Sequence, residues 1–509
     1  MSWDREESLD RIQRRWQARD TEIVVSRLTR EMDLENVTLA NGRCIQGAHV
    51  YATVAGSGRL DCLDTDDDAR SAIQRIALWQ AEVARIAQAF EVPIIAFQGA
   101  RVHLLAYRPI DDDQAISRKA TLLSKAITYM TRDAFNPFFE DELQLDARAA
   151  ADVGETVATR AGTRGDSELL FLGNAANRPA KLLGSAKLVV TGRFLEAIDG
   201  QIPHEYSEAT EDDAWIVRVS VGAAEAAADE DGIAWSVETS EARIAEDLEK
   251  WPVSRFKVSG ASELIEPSDL SRSNSKLVTG AVLLMDIDGF SAYISQAEGD
   301  TVKRDAILTL DAIRQEMRAV LKTDYSGVRI QYQGDNMIGL VHLPSGDDEG
   351  IATTAAEIAA GMQDSMTQTL PEVVPDADAL DVAVGVAMDD TVVGCLGQNA
   401  KRNALIIGPA ATSAESIQMR LSGQQTGVDA TTFHALPAEI QALYDWSASA
   451  QAYVATQLGA SKLSRVREAL TAVGSRVVTP DDRGRLQVGA GAAVAGSAEY
   501  VRPFRPYAE

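Results

Sequence analysis

The chain has 509 residues, 45% hydrophobic and 25% charged, which is enough material for more than one domain around a large core. Its formal charge of −27 excludes extended contact with nucleic acid or anionic lipid, because phosphate surfaces are met by clustered Lys and Arg. Three widely spaced cysteines, Cys44, Cys62 and Cys395, make neither a disulfide framework nor a zinc-ligand cluster.

The N-terminus, MSWDREESLDRIQRRWQARD, lacks the apolar core of a secretory signal, and no segment makes an uninterrupted run of membrane-spanning length. A cytoplasmic protein with no membrane partner is expected. Residues 1–45 read as a charged amphipathic helix that packs against the body or against another subunit. Next, over 46–208, comes a strand, GAHVYATVAGSG from Gly47, then a helix with Ile73, Ile76, Val83, Ile86 and Phe90 on one face. The hairpin FQGARVHLLAY follows from Phe97, and later a glycine-bearing strand runs into the helix GNAANRPAK. Residues 209–275, with AAEAAADEDG and SDLSRSNSK, read as linker or irregular surface structure. The segment 276–440 repeats the layout of the first domain. The remainder, 441–509, reads as a helical extension that turns Gly- and Ala-rich in GAGAAVAGS.

The repeat rests on spacing. Gly99 and Gly334, Thr156 and Thr391, Gly162 and Gly397, and Gly173 and Gly408 are each separated by 235 positions. At the front, Gly47 matches Gly280 at an offset of 233, so one short insertion separates the copies there. Strands alternating with helices on this rhythm predict an α+β sheet in each half with helices on one face.

In the second half the apolar run LLMDIDGF ends on Asp286, and the hairpin YQGDNMIGLVH places Asp335 at its turn. If that hairpin pairs beside the first strand, the two carboxylates meet at one edge. They then repel unless a hard cation such as Mg²⁺ or Mn²⁺ lies between them. Aspartate is also a common turn former. The matching positions of the first half, however, hold Thr53 and Ala100, so these turns form without it.

These motifs resemble the catalytic domain of the class III nucleotidyl cyclases, over roughly Gly47–Leu195 and Lys276–Leu436. The family pattern strand-D-I-x-G-F-[ST] is matched by Asp286, Ile287, Gly289, Phe290 and Ser291, and the G-D hairpin by Gly334 and Asp335. The resemblance implies two ferredoxin-like α+β domains in one chain, paired head to tail as an intramolecular pseudo-heterodimer. It implies two Mn²⁺ or Mg²⁺ ions held by Asp286, Asp335 and the Ile287 carbonyl, with Gly289 and Phe290 offering amides to the substrate phosphates. The family's third signature, G-x-x-x-N-x-x-x-R, reads Gly173, Asn177 and Lys181 in the first half, with Lys in place of Arg. In the second half it reads Gly408, Thr412 and Ser416, and both functions are lost. Each half thus keeps what the other lacks, and together they make one complete site, with Asn177 and Lys181 as the catalytic pair.

Purine choice in the family depends on positions that correspond to Ala96 and Leu170, neither of which can hydrogen-bond a base edge through its side chain. The second half offers Gln331 and Leu405. The missing purine code and the tandem layout resemble the bacterial pyrimidine cyclases of the Pycsar antiphage systems. That closer resemblance implies UTP as the preferred substrate, cyclic UMP as product, and a separate effector that responds to it. The alternatives are an adenylate cyclase with atypical base contacts and a nucleotide-binding regulator that has lost catalysis.

Overall fold

The computed structural model describes residues 2–19, 23–163, 166–184, 186–295, 300–397 and 403–465. A helix, α1 (Arg5–Arg19), comes first. The first sheet is built from β1 (Val24–Arg27), β2 (Asn41–Thr53), β3 (Ile94–Gln98), β4 (Arg101–Ala106), β5 (Arg148–Thr163), β6 (Asp166–Leu172), β7 (Leu188–Thr191), β8 (Glu205–Glu208) and β9 (Ala214–Arg218). Its helices are α2 (Asp66–Ala89), α3 (Asp113–Tyr129), α4 (Asn174–Leu182) and α5 (Gly192–Ile198), followed by α6 (Val221–Glu230) and α7 (Val237–Lys250).

The second sheet repeats the pattern with β10 (Val258–Ser259), β11 (Ser275–Asp288), β12 (Val328–Gln333), β13 (Asn336–Val341), β14 (Asp381–Leu396), β15 (Asn403–Ile407), β16 (Gln425–Val428), β17 (Asp445–Ser447) and β18 (Ala452–Thr456). Its main helices are α8 (Phe290–Ser295), α9 (Asp300–Arg318), α10 (Asp348–Asp364) and α11 (Pro409–Gln418).

Strand order is β3-β4-β2-β5-β7-β9-β8 in one sheet and β12-β13-β11-β14-β16-β18-β17 in the other. The side pairings also match: β1 on β2 and β6 on β5, β10 on β11 and β15 on β14. The α+β tandem expected from the repeat is therefore present, strand for strand. Both halves belong to one compact unit. Their cores merge: Val392, Leu396, Leu405 and Ile407 of the second half join the large apolar cluster of the first.

Local chemistry explains why the elements start where they do. Thr65 and Asp68 cap α2 reciprocally, and three aspartates in the first turn suit the positive end of the helix dipole. The turn into α4 passes through Gly173 at φ 139°, and the turn into α11 through Gly408 at φ 133°. Side-chain-bearing residues avoid that backbone region, which is why glycine marks both places.

Residues 1–45, read as one amphipathic helix, hold α1 only as far as Arg19 and then supply β1 and the start of β2, which pair in parallel at the sheet. Two further segments differ from the expectation. Residues 209–275, read as linker or irregular structure, contain β9, α6 and α7, and residues 441–465, read as helical, supply β17 and β18. In the first case the alanine run favours helix and Ser220 and Ser236 cap the two helices. In the second, two short strands pair with each other and extend the sheet through β16. The Gly- and Ala-rich tail expected beyond residue 465 lies outside the described residues.

Helix α7 also shows that the repeat begins earlier than Gly47. Trp3, Ser8, Arg11 and Ile12 recur as Trp235, Ser240, Arg243 and Ile244, each at an offset of 232. The two helices are exchanged. α1, which leads the first half, lies on α9 of the second, where Arg11 binds Glu316 in two bonds of 2.7 and 2.9 Å and reaches Asp324. α7, which leads the second half, lies on α2 of the first, where Arg243 binds Glu82 at 2.5 Å. Glu82 and Glu316 are both buried, and each is paired with an arginine delivered by the opposite repeat, Glu82 being met also by Arg85 of its own helix at 3.1 Å. Removing one partner of such a buried pair costs about 3 kcal/mol or more. Arg11→Ala is therefore expected to lower the thermal unfolding temperature clearly. Arg14→Ala, which breaks an exposed pair within α1, should leave it unchanged.

Candidate active site

Asp286 and Asp335 come together as the strand order requires. β13 pairs antiparallel with β11, the last partners being Met285 and Met337, so the hairpin turn lies beside the end of β11. Gly334 turns the hairpin at φ 67° and Gly289 turns the chain after β11 at φ 84°. A Cβ on Gly289 would lie 2.5 Å from the Ala379 carbonyl, so that turn admits only glycine.

Burial raises the pKa of Asp286, against the pull of a 3.1 Å hydrogen bond from Gln418 and of the Lys181 charge; Asp288 pushes it further up. Burial likewise raises Asp335, and the neighbouring charge of Asp286 adds to this, while Lys181 and Arg314 act the other way. Two carboxyl groups that oppose each other's ionisation are what a cation site looks like without its cation.

Lys181 belongs to the first half, and its charge acts on both aspartates. Asn177 stands one helical turn before it on α4, on the same face. α4 packs against α8, the helix that Phe290 opens directly after the Asp286 strand and the Gly289 turn. The structure thus brings Asp286, Asp335 and Lys181 together across the domain boundary, with Asn177 and Phe290 on the two helices that meet there and Gly289 in the turn before α8. The Phe290 ring is buried and stacks with Tyr293, so only its backbone can serve a ligand. Asp288 is exposed and accepts hydrogen bonds from the Gly289 and Gly423 amides, a turn-holding role.

Among the described residues no group of three or more Asp, Glu, His or Cys could hold a metal. An ion at Asp286 and Asp335 therefore needs further oxygen from the backbone and from the ligand itself. Mg²⁺ and Mn²⁺ accept that arrangement, since they commonly take one or two carboxylates plus substrate phosphates and water.

Ala96, His103 and Tyr51 are direct partners across β3, β4 and β2, so their side chains form a row on one face of the first sheet. Tyr51 stacks on His103 at 4.2 Å, and its phenol pKa is raised by burial and, in part, by the charge of Asp335. The row supplies polar groups that Ala96 lacks, and the His103 ring is itself held by His49 at 2.9 Å. Leu170 is buried on β6 opposite Thr159. Sequence reading missed Tyr51 and His103, and also Gln418. Alternation along β2 could have flagged Tyr51, since it lies two residues before Thr53 on the same face.

The pseudo-symmetric second site is closed. Thr53 and Ala100 are buried, and Arg101 reaches across to Glu415 on α11 at 2.8 Å. Leu405 lies in the shared core, and the Thr412 hydroxyl turns back to the Gly408 carbonyl. In the open site Asn336 and Ala180 stand where this ion pair would be, 235 positions from Arg101 and Glu415. Thr412→Ala is therefore expected to change turnover by less than about twofold, its bond being one local contact of about 1 kcal/mol at a site with Thr53 and Ala100 in place of the two aspartates. Steady-state kinetics on the purified variant check this.

No family model matches the chain. It is 24% identical over 446 residues to a uridylate cyclase of Pseudomonas aeruginosa, covering 83% of this chain and 84% of that one. A uridylate cyclase of a Rhizobium species is 23% identical over 431 residues, covering 79% and 80%. Among solved structures, a class III adenylyl cyclase-like ATP-binding protein from Pseudomonas aeruginosa superposes with a TM-score of 0.80 at 22% identity, over 92% of this chain and 99% of that one. No helix among the described residues is long and apolar enough to cross a membrane. The chain thus has the fold of a class III adenylyl cyclase-like protein, with two domains of matching strand order in one polypeptide.

Proposed function

We propose that the chain converts a nucleoside triphosphate, by preference UTP, to its 3′,5′-cyclic nucleotide and pyrophosphate at one site shared by its two halves. The observation that carries this reading is the cation of Lys181, from the first half, acting on both Asp286 and Asp335 of the second. The 3′-oxygen of the ribose bonds to the α-phosphorus as its proton passes to solvent water, and the bond from that phosphorus to the departing pyrophosphate breaks. Asp286, Asp335 and the Ile287 carbonyl would hold two Mn²⁺ or Mg²⁺ ions, which would supply polarisation of the α-phosphate and neutralisation of the leaving group. Gln418 fixes the orientation of Asp286, Asn177 orients the ribose, and Lys181 meets the negative charge that builds at phosphorus. The amides of Gly289 and Phe290 face the phosphates.

UTP is favoured because the two relatives are uridylate cyclases and because Ala96 and Leu170 leave the purine-reading positions without hydrogen-bonding side chains. Tyr51 and His103 fill the first of those positions from the neighbouring strands. The cyclic nucleotide then acts as a messenger for a separate effector protein in antiphage defence within the cytoplasm, with no nucleic-acid partner. A second reading, an ATP-binding protein or adenylate cyclase, is favoured by the description of the structural neighbour as ATP-binding. Incubating the protein with each of the four triphosphates and Mn²⁺ separates the two: cyclic UMP as main product supports the first, and cyclic AMP alone supports the second. Nucleotide binding without turnover at any Mn²⁺ concentration would leave only a regulator.

A further inference from the structure

The two hairpin turns are held from behind by residues at matching places on matching helices. In the first half Gln80 of α2 donates to the Gly99 carbonyl at 2.8 Å; in the second Arg314 of α9 donates to the Gly334 carbonyl at 2.7 Å. The chain therefore contains its own control. A neutral amide suffices for the turn that ends in Ala100, whereas the turn that presents Asp335 is held by a guanidinium only 1% exposed.

Burying a guanidinium is costly unless it is well partnered, so its presence behind one turn and not the other calls for a reason. Its partners show one. Arg314 lies over the Tyr332 ring at 4.0 Å, and the Tyr332 hydroxyl donates to the Arg314 carbonyl at 2.6 Å. Glu168, on β6 of the first half, is 3.4 Å from Arg314 and 3.4 Å from Arg329. The guanidinium thus ties the Asp335 turn to a carboxylate of the opposite half, whereas the Gln80 amide holds a turn of its own half.

We propose that Arg314 is a positioning residue for Asp335, and that Glu168 of the first half holds Arg314 in place, so that the cation-binding turn is set correctly only when the two halves are docked. This rests on the reading of Asp335 as a cation ligand, and its role is distinct from those of Asn177 and Lys181, which face the nucleotide. A charge-assisted hydrogen bond to a turn carbonyl is stronger than a neutral one, and loss of the bridged geometry is expected to weaken cation binding about tenfold. Simple electrostatics argues the opposite sign, since removing a positive charge near Asp335 should tighten cation binding. For an Arg314 variant the sign therefore separates positioning from field effects. For a Glu168 variant, where loss of a negative charge also weakens cation binding, the double variant separates them, because field effects of the two charges add independently and positioning through one bridge does not.

The test is Arg314→Gln in the full chain, which installs the residue that already holds the other turn, with Glu168→Gln as a second and milder variant on a one-third-exposed side chain. Mn²⁺ binding is titrated by electron paramagnetic resonance with a UTP analogue lacking the 3′-hydroxyl, and thermal unfolding is recorded in parallel. Expected are weaker Mn²⁺ binding in both variants, a double variant no weaker than Arg314→Gln alone, and a kcat loss that saturating UTP does not restore. Unchanged or tighter Mn²⁺ binding in Glu168→Gln, or losses that simply add in the double variant, would overturn the proposal, even if Arg314→Gln failed to fold. The Mn²⁺ measurement needs no turnover. A wild-type protein that makes no cyclic nucleotide, yet loses Mn²⁺ affinity in both variants, would refute the cyclase reading and leave the positioning role standing.

Discussion

Asp286→Ala and Asp335→Ala are each expected to reduce cyclic-nucleotide formation by about a thousandfold or more, to the limit of detection by product chromatography. Cations at such a site supply several kcal/mol of charge stabilisation, and each 1.36 kcal/mol is a factor of ten in rate. Either substitution removes one of only two carboxylates available, and among the described residues nothing else could complete a cluster. The variants should nonetheless fold at least as well as the wild type without metal. Both carboxyl pKa values are raised by burial, so these groups favour folding below their ordinary range and cost stability as pH rises through the raised values. For the same reason Mn²⁺ with nucleotide should raise the unfolding temperature of the wild type more at pH 8 than at pH 5, where protons compete for the ligands. That pH-dependent gain should vanish in Asp335→Ala.

Lys181→Ala is expected to lower kcat about a hundredfold while leaving the fold intact, in line with the loss of one preorganised group aimed at developing charge. Lys181 is exposed in the last turn of α4, so its loss should not disturb packing. Asn177→Ala should fall in kcat as well, because a ribose without its orienting amide rarely presents the 3′-oxygen in line. The diagnostic comparison is with Thr412 and Ser416, which occupy the same places on α11. Single-turnover kinetics that showed equal losses at Lys181 and Ser416 would mean two working sites, against the closed second site with its Arg101–Glu415 bridge. Lys181→Arg offers a finer check. A planar fork reaches two oxygens where an ammonium is a point charge, so that variant should retain or gain activity if the position does what the resemblance implies.

Much of this arrangement was legible in the residues. The 235-position spacing of four glycine and threonine pairs fixes the tandem, and the mirror-image loss of Asp in one half and Asn in the other indicates a single shared site. What stayed hidden did so for physical reasons. α1 and α7 match at only a few buried positions, since their exposed faces are free to diverge, so the exchange of leading helices shows only once Arg11 and Arg243 are seen on Glu316 and Glu82. Gln418 lies 132 positions from Asp286 and reaches it only because Gly385 lets α11 come close: a Cβ there would be 2.3 Å from the Ala414 carbonyl. Tyr51 and His103 become neighbours of Ala96 through strand register, which a single sequence does not display. The segment 209–275 was misjudged because acidic and alanine-rich stretches suit a solvated linker and a surface helix equally well.

The most direct measurement is a crystal structure of the protein with Mn²⁺ and a UTP analogue lacking the 3′-hydroxyl. The shared-site account expects metal density between Asp286 and Asp335, with the ribose at Asn177 and the α-phosphate at Lys181 of the same molecule. Metal and nucleotide bound within one half alone, or at the Thr53 and Thr412 site, would contradict it.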